Sequence, residues 1–454
     1  MQVAFSAGLT AGAFFWGVTV DIIGRWWAFN LTCLFAAVFG LGLGCCQTYT
    51  SFLVITAFVG FGIGGNIPID TTICLEFIPQ NKRFLLALLS IFQPIGVVIT
   101  CAFAYGYIPT YSCTPNFNEG ERALPSCANV PAGQDCCSRA DNMGWRYLMF
   151  TIGAVTLAVF LARSVIFRFK ESPKFLVSKG KDDKALAVLE YLARYNKRQC
   201  GVTQADFDAL TSEESSESSR AGLMGRGGAK RAASTGLAKL TSGLGRYKSL
   251  FDGFQMTRMT ILVWITYACD YWAFTLAATY LPYLIAVKNG ALDLSLEYTY
   301  RSYFAVYAPG IIGVVGGAMM YRVPRFGRKL VMMVSSALMG VSIFLFSAAN
   351  SQESNIGLNA MEYFFQSMFN AVLYGWTPEV FPAPVRGTAC GIASFWGRLF
   401  SILAPLTAQS LLGPNGLQEE ETIREVLYLA GGLALGCTIT VSLLPNGIMG
   451  KNSM

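Results

Sequence analysis

Histidine is absent from this chain, and charge is scarce: Asp, Glu, Lys and Arg together make up 13% of its 454 residues. The first absence removes imidazole as a metal ligand, general base or proton carrier, so any proton coupling has to run through carboxylates. No cluster with metal-ligand spacing, no phosphate-binding glycine loop and no nucleophile–base pair occurs either. Neither enzymatic chemistry nor a cofactor or metal is therefore expected. The scarcity of charge, with 53% hydrophobic residues and a mean hydropathy of +0.45, lies far outside the balance of an ordinary soluble domain.

What is present in quantity is apolar sequence in runs of membrane-spanning length, about 20 residues each. Eleven can be read, at roughly 3–23, 27–46, 51–73, 84–107, 145–167, 257–287, 301–321, 329–348, 359–378, 388–412 and 424–446. They are too long and too continuous for strands of a membrane barrel, which alternate over about ten residues. The expected fold is all-α and multi-pass. The opening stretch MQVAFSAGLTAGAFFWG lacks the basic flank and cleavage pattern of a signal peptide and starts inside an apolar helix.

The net charge of +7 does not point to nucleic acid, because the basic residues sit in particular loops and set orientation. Arg25, Lys82 and Arg83, the segment after the fifth run, Arg322 to Lys329, and Arg386 mark one face as cytoplasmic. The loop 108–144 then lies on the opposite face, where thiols can oxidise. It holds Cys113, Cys127, Cys136 and Cys137, for which three pairings are open.

A repeat organises the chain. Gly24-Arg25 and Gly327-Arg328 lie 303 residues apart, and EFIPQNKR from Glu76 and EVFPAPVR from Glu379 show the same offset. Two motifs at one spacing argue for two homologous halves. The halves are residues 1–168 and 257–454, joined by a cytoplasmic linker, 169–256. In that linker Ala185, Val188, Leu189 and Leu192 share a helical face, and the Ser/Gly-rich stretch after it is expected to be disordered. Under the offset, the run at 257–287 has no partner in the first half. The reading is therefore a twelve-helix architecture whose first helix is not in this sequence.

GVTVDIIGR, residues 17–25, has the form G-x-x-x-D-x-x-G-R. With the matched second half it resembles the signature loop of the major facilitator superfamily, and the resemblance covers essentially the whole chain. GFGIGGNIPIDTTICLEFIPQNKR, RFKESPKFLVSKG and LYGWTPEVFPAPVRGTACGIASFWGR are similar to the branch of synaptic-vesicle-transporter-like proteins, near the sugar and organic-ion porters. The Q-L-S motif of sugar porters is missing from 257–287, which ranks organic ions above sugars. The second loop departs from the pattern, with Met320 and Pro324 in place of the first Gly and the Asp.

The resemblance implies a monomeric secondary transporter of a small polar or charged organic solute, embedded in the bilayer of the plasma membrane or of an intracellular vesicle or vacuole. The degenerate second loop leaves a transport-inactive sensor or membrane interaction protein as the alternative. It also implies a cytoplasmic gate of Gly17, Asp21, Gly24, Arg25, Glu76, Arg83, Glu171, Lys174, Gly327, Arg328, Glu379 and Arg386; the competing reading is a set of solvated helix-end charges.

Ionisable residues at mid-membrane depth are expensive and usually face a cavity. Asp270 and Arg398 are the sharpest candidates for binding or proton coupling, with a mutual buried ion pair as the structural alternative. Asn66, Gln93 and Asn370 lie at similar depth. Trp264, Tyr267, Tyr271 and Tyr374 could supply an aromatic lining with polar tips. Asp70, nearer a helix end, reads as half of a structural pair, and Arg163 is expected to snorkel.

Overall fold

The computed structural model describes residues 1–78, 82, 84–113, 124–127, 130–131, 134–166, 170–178, 180–206, 250–251, 253–291, 295–322, 327–349, 351–381, 386–412 and 420–445. All eleven apolar runs are helical. The first half comprises α1 (Gln2–Ile23), α2 (Arg25–Cys45), α3 (Tyr49–Gly64), α4 (Asn66–Phe77), α5 (Phe84–Leu89), α6 (Phe92–Tyr107) and α7 (Gly144–Leu161), which passes into a π turn at Ala162–Ile166. Two short helices follow, α8 (Pro173–Ser178) and α9 (Asp182–Tyr195). The second half holds α10 (Phe254–Ala291), α11 (Leu296–Tyr307), α12 (Pro309–Met320), α13 (Gly327–Ala348), α14 (Gln352–Val380), α15 (Arg386–Leu412) and α16 (Glu420–Ser442). Among the described residues, nine spans are long and apolar enough to cross a membrane.

Three runs that read as single spans are broken: 51–73 at Gly65, 84–107 around Ser90-Ile91, and 301–321 at Ala308. At each the backbone stays helical and main-chain bonds run through the junction, while Pro68, Pro94 or Pro309 nearby withholds one N–H from the preceding turn. At Gly24 the turn between α1 and α2 takes φ 103°, a left-handed backbone that a side chain disfavours. In the linker, Leu176, Ala185 and Val188 form a small core with Leu189 and Leu192, so α9 buries the face its sequence marks out. Residues 207–249, with the stretch expected to be disordered, lie outside the described residues.

Close packing is set by small residues. A Cβ added at Gly8 would lie 2.0 Å from the Ala57 carbonyl oxygen, one at Gly12 2.1 Å from Phe61 O, one at Gly60 2.4 Å from Phe5 O and one at Gly64 2.3 Å from Leu9 O. The two glycine ridges interlock α1 with α3 at backbone contact. The repeat-related pair, α12 and α14, is built alike: a Cβ at Gly313 would lie 2.3 Å from Phe364 O. Elsewhere large apolar side chains such as Phe14, Phe92, Val165 and Ile312 stand exposed around the bundle, where hydrocarbon would cover them.

Gly12→Val is therefore expected to push α1 from α3 and lower stability by about 3 kcal/mol, since backbone cannot yield as a side chain can. Gly96→Ala, where a Cβ meets nothing within 4 Å, is the matched control. Thermal unfolding in detergent reads the pair: a fall for Gly12→Val with no change for Gly96→Ala is the expected result.

On the face opposite the Gly-Arg loops, Cys113 pairs with Cys137 and Cys127 with Cys136. Backbone bonds from Cys127 N–H to Cys137 O at 3.2 Å and from Cys137 N–H to Pro125 O at 2.9 Å hold the two bridges side by side. Disulfides belong on an oxidising side, which agrees with the orientation set by the basic loops.

Candidate functional site

The halves meet along two seams. In one, α1 packs against α15, and Arg398 on α15 is 2% exposed. Its Nη1 donates to the carbonyl of Leu9 at 2.8 Å and to that of Gly64 at 2.7 Å. Gly64 is the last residue of α3, so its carbonyl has no partner from a continuing helix, and a cation complements the negative end of the helix dipole. The glycine packing of α1 on α3 brings both carbonyls to the same guanidinium. Arg398 thus joins the second half to a helix break in the first.

The pairing with Asp270 does not form. Both Asp270 carboxylate oxygens are buried without a hydrogen-bond partner, and the residue is 1% exposed. Arg398 is satisfied by main-chain oxygen instead, a partner that residue types alone do not reveal. Arg163 also departs from expectation. It turns inward, with Nη2 3.9 Å from Asp70 Oδ2 and its guanidinium 3.8 Å from the centre of the Phe29 ring. The π turn that contains it faces Asp70 rather than the headgroups.

Along the second seam α5 and α6 meet α11, α12 and α14. A contact between the halves spans each end of this seam. On the disulfide-bonded face the Tyr105 hydroxyl donates to Glu297 Oε1 at 2.8 Å. On the Gly-Arg face the Arg322 guanidinium lies 4.2 Å from the Phe84 ring centre, and a Cβ added at Gly375 would sit 3.2 Å from Ala87 Cβ.

Between these ends lies a narrow cleft with a cavity volume of about 10 Å³, room for about one water. Ser90, Gln93 and Pro94 line it from the first half, and Phe274, Val314, Tyr363, Gln366, Ser367 and Asn370 from the second. Gln93 and Asn370, chosen for depth alone, thus face one space. Asp270 stands one helical turn before Phe274. Beside it Tyr267, Tyr271 and Tyr374 gather, with ring centres 6.0 to 6.5 Å apart, and the Tyr267 hydroxyl donates to Thr377 Oγ1 at 3.0 Å. The Trp264 ring lies tilted 6.0 Å from that of Trp396, away from the cleft lining. Asn66 opens α4 two residues past Gly64, with Oδ1 buried and unpartnered.

Sequence reasoning passed over the most polar helix face of all. On α14, Asn359 Nδ2, Glu362 Oε1, Gln366 Nε2 and Asn370 Oδ1 are each buried without a hydrogen-bond partner. Their spacing of three, four and four residues puts them on one side of the helix. That spacing was the available signal. It was hidden because the apolar run starts at 359 whereas the helix starts at Gln352, which made Glu362 look like a helix-end residue.

Part of the charge set on the Gly-Arg face is visible. Glu171 accepts from the Arg25 N–H at 3.1 Å and from the Trp26 N–H at 3.4 Å, placing a carboxylate at the positive start of α2. Arg328 bonds to Glu379, which is 6% exposed, and lies 4.4 Å from the Tyr321 ring centre. Gly327 opens α13. The surroundings of Gly17, the side chains of Asp21, Glu76, Lys174 and Arg386, and the whole of Arg83 lie outside the described residues. Arg328→Ala is expected to cost about 3 kcal/mol, because it leaves Glu379 buried without its cation. Pairing it with Glu379→Gln should restore most of the loss in thermal unfolding; equal damage from both single changes with no recovery in the double would contradict a pairwise bond.

These features define a transporter of the major facilitator type: two helical halves, two seams and a polar cleft between them. The chain matches the family described as "Sugar (and other) transporter" over residues 1–445, and it belongs to that family. It is 32% identical over its whole length to the "MFS siderochrome iron transporter 1" of Ceriporiopsis subvermispora, covering 81% of that protein. It is 23% identical to the synaptic vesicle 2-related protein of Xenopus laevis, over 89% of this chain and 64% of that one. Among solved structures, the proton:xylose symporter XylE superposes with a TM-score of 0.68 at 15% identity, covering 99% of this chain and 86% of the other.

Proposed function

We propose that the protein is a secondary active transporter of a small polar or charged organic solute, working by alternating access and coupled to protons. The observation that carries this reading is the cleft: polar side chains from both halves face one space, and two of them, Gln366 Nε2 and Asn370 Oδ1, are buried without a hydrogen-bond partner. Gln93 from one half and Gln366 and Asn370 from the other are the solute-binding groups. Buried amides without partners cost free energy, which a polar solute can offset. Asp270 is the proton-coupling group, since a carboxylate this deep without a partner is stable only protonated or beside a cation. A relative named for a siderochrome fits an organic solute rather than a simple ion.

Rocking of the two halves would open the Tyr105–Glu297 end and the Phe84–Arg322 end in turn. The test is uptake of radiolabelled organic acids, amines and sugars by vesicles containing the full chain, with Asn370→Ala and Gln93→Ala beside it. Uptake of one class that both substitutions depress by about tenfold or more supports the assignment. Uptake indifferent to both would remove the cleft from the transport path.

A further inference from the structure

Glu171 fixes the level at which the linker leaves the membrane. Its carboxylate accepts from the Arg25 and Trp26 N–H groups at the start of α2, and Trp27, 55% exposed, follows at once. Ile23 is exposed just before it, and Leu161 and Val165 stand exposed toward the end of α7, so the apolar belt runs up to this point. Tryptophan at the edge of such a belt marks the membrane–water interface. Lys170, next to Glu171, therefore sits at headgroup depth, and its Nζ lies 5.5 Å from the centre of the Tyr191 ring on α9. That contact brings the C-terminal part of α9 to the same level.

One face of α9 is spent on its own small core, with Leu176, Ala185 and Val188. The rest of its C-terminal end is exposed, aromatic and basic. Tyr191 is 46% and Tyr195 78% exposed, and Arg194, Lys197 and Arg198 are exposed beside them. Across residues 190–199 Glu190 is the one acid. Lys197 closes the helix with φ 53°, and the Arg198 N–H donates to Ala193 O at 2.8 Å. Glycine is the usual residue in that left-handed position; here a lysine occupies it and adds a cation to the turn. Cations at a helix C-terminus complement its dipole, but the two tyrosine rings exposed among them serve no such end.

Amphipathic rings interleaved with basic residues suit the surface of a leaflet that carries anionic lipid, where the rings lie at headgroup level and Lys and Arg meet phosphate. The cytoplasmic leaflet, on the side where the basic loops lie, is the anionic one. We infer that the C-terminal end of α9, with Lys170, docks onto the cytoplasmic leaflet and binds the headgroups of anionic phospholipids. The patch continues the apolar belt through Trp27, and docked there it ties the start of the linker to the membrane beside the first half. The inference needs the orientation of the chain and not the transport reading.

The test is photocrosslinking on the full chain in nanodiscs of phosphatidylcholine and phosphatidylserine, mixed at roughly 7:3, with a benzophenone amino acid in place of Tyr195 and the adducts identified by mass spectrometry. Lipid adducts should form, with phosphatidylserine enriched by about fivefold or more over its share of the bilayer. The same probe in a protein carrying Arg194→Ser, Lys197→Ser and Arg198→Ser should report the two lipids in the ratio of the bilayer. Salt of about 1 M, which screens charge beyond roughly 3 Å, should do the same to the unaltered cations. Arg194→Lys, which keeps the charge, should leave the enrichment in place. Should the triple change disturb α9, the salt series and Arg194→Lys decide the matter. Adducts only to peptides of this chain or of a second copy, phosphatidylserine at no more than its share of the bilayer, or enrichment untouched by both salt and the triple change would each overturn the docking surface.

Discussion

Arg398→Ala is expected to abolish uptake and to lower stability by about 3 kcal/mol. The arginine is buried and makes two charge-assisted bonds to main-chain carbonyls, of Leu9 and Gly64, that belong to the other half. Alanine would leave both oxygens facing a void, one of them at the end of α3 where the helix supplies no replacement donor. A loss of 3 kcal/mol at the seam alone corresponds to about a hundredfold change in an equilibrium or rate. Arg398→Lys should recover little, because an ammonium is a point charge and cannot reproduce the planar donor geometry of the guanidinium. Uptake and thermal unfolding measured together separate the two effects. Wild-type uptake by a stable Arg398→Ala protein would show that the bond is not part of the cycle.

Asp270→Asn is expected to act differently, sparing stability while eliminating accumulation against a gradient. Its carboxylate stands 16 residues from the start of α10, about 24 Å along the axis, with both oxygens buried and unpartnered. Asparagine preserves shape and removes the exchangeable proton. Concentrative uptake driven by an acid-outside gradient should fall by about a hundredfold or more, while exchange of external for internal solute continues at a measurable rate. Because Arg398 is bonded elsewhere, the double change Asp270→Asn with Arg398→Gln should behave as the sum of its parts rather than as a rescue. Unaltered pH-driven accumulation by Asp270→Asn at normal expression would eliminate Asp270 as the coupling group.

The helical architecture was legible because long apolar runs report membrane passage almost regardless of detail, and most runs found their helix within a few residues. The junctions at Gly65 and Ala308 were not, since an apolar run reads much the same on either side of them; Pro68 and Pro309, which cannot donate to the preceding turn, were the clues. Depth along a run selected Gln93 and Asn370, which share the cleft, but depth cannot say what a side chain meets. The structural alternative for Arg398 was a pair with Asp270 at similar depth, whereas its partners are carbonyls presented by glycine packing between α1 and α3. Arg163 was placed at the headgroups by its position near a helix end, and the π turn carries it to Asp70 instead. Glu362 was missed because helix ends can be polar and extend beyond the apolar run.

The central claim is that the two ends of the α5/α6 seam, spanned by Tyr105–Glu297 and by Phe84–Arg322, open in turn around the cleft. Spin labels at positions 105 and 297 on one face, and at 84 and 322 on the other, would report both ends by pulsed dipolar spectroscopy on the full chain in nanodiscs, with the accessible free cysteines replaced. The account predicts two distance populations at each end, shifted in opposite directions by solute and by pH, so that lengthening at 105/297 accompanies shortening at 84/322. Single, unchanging distances at both ends, or lengthening at both together, would contradict it.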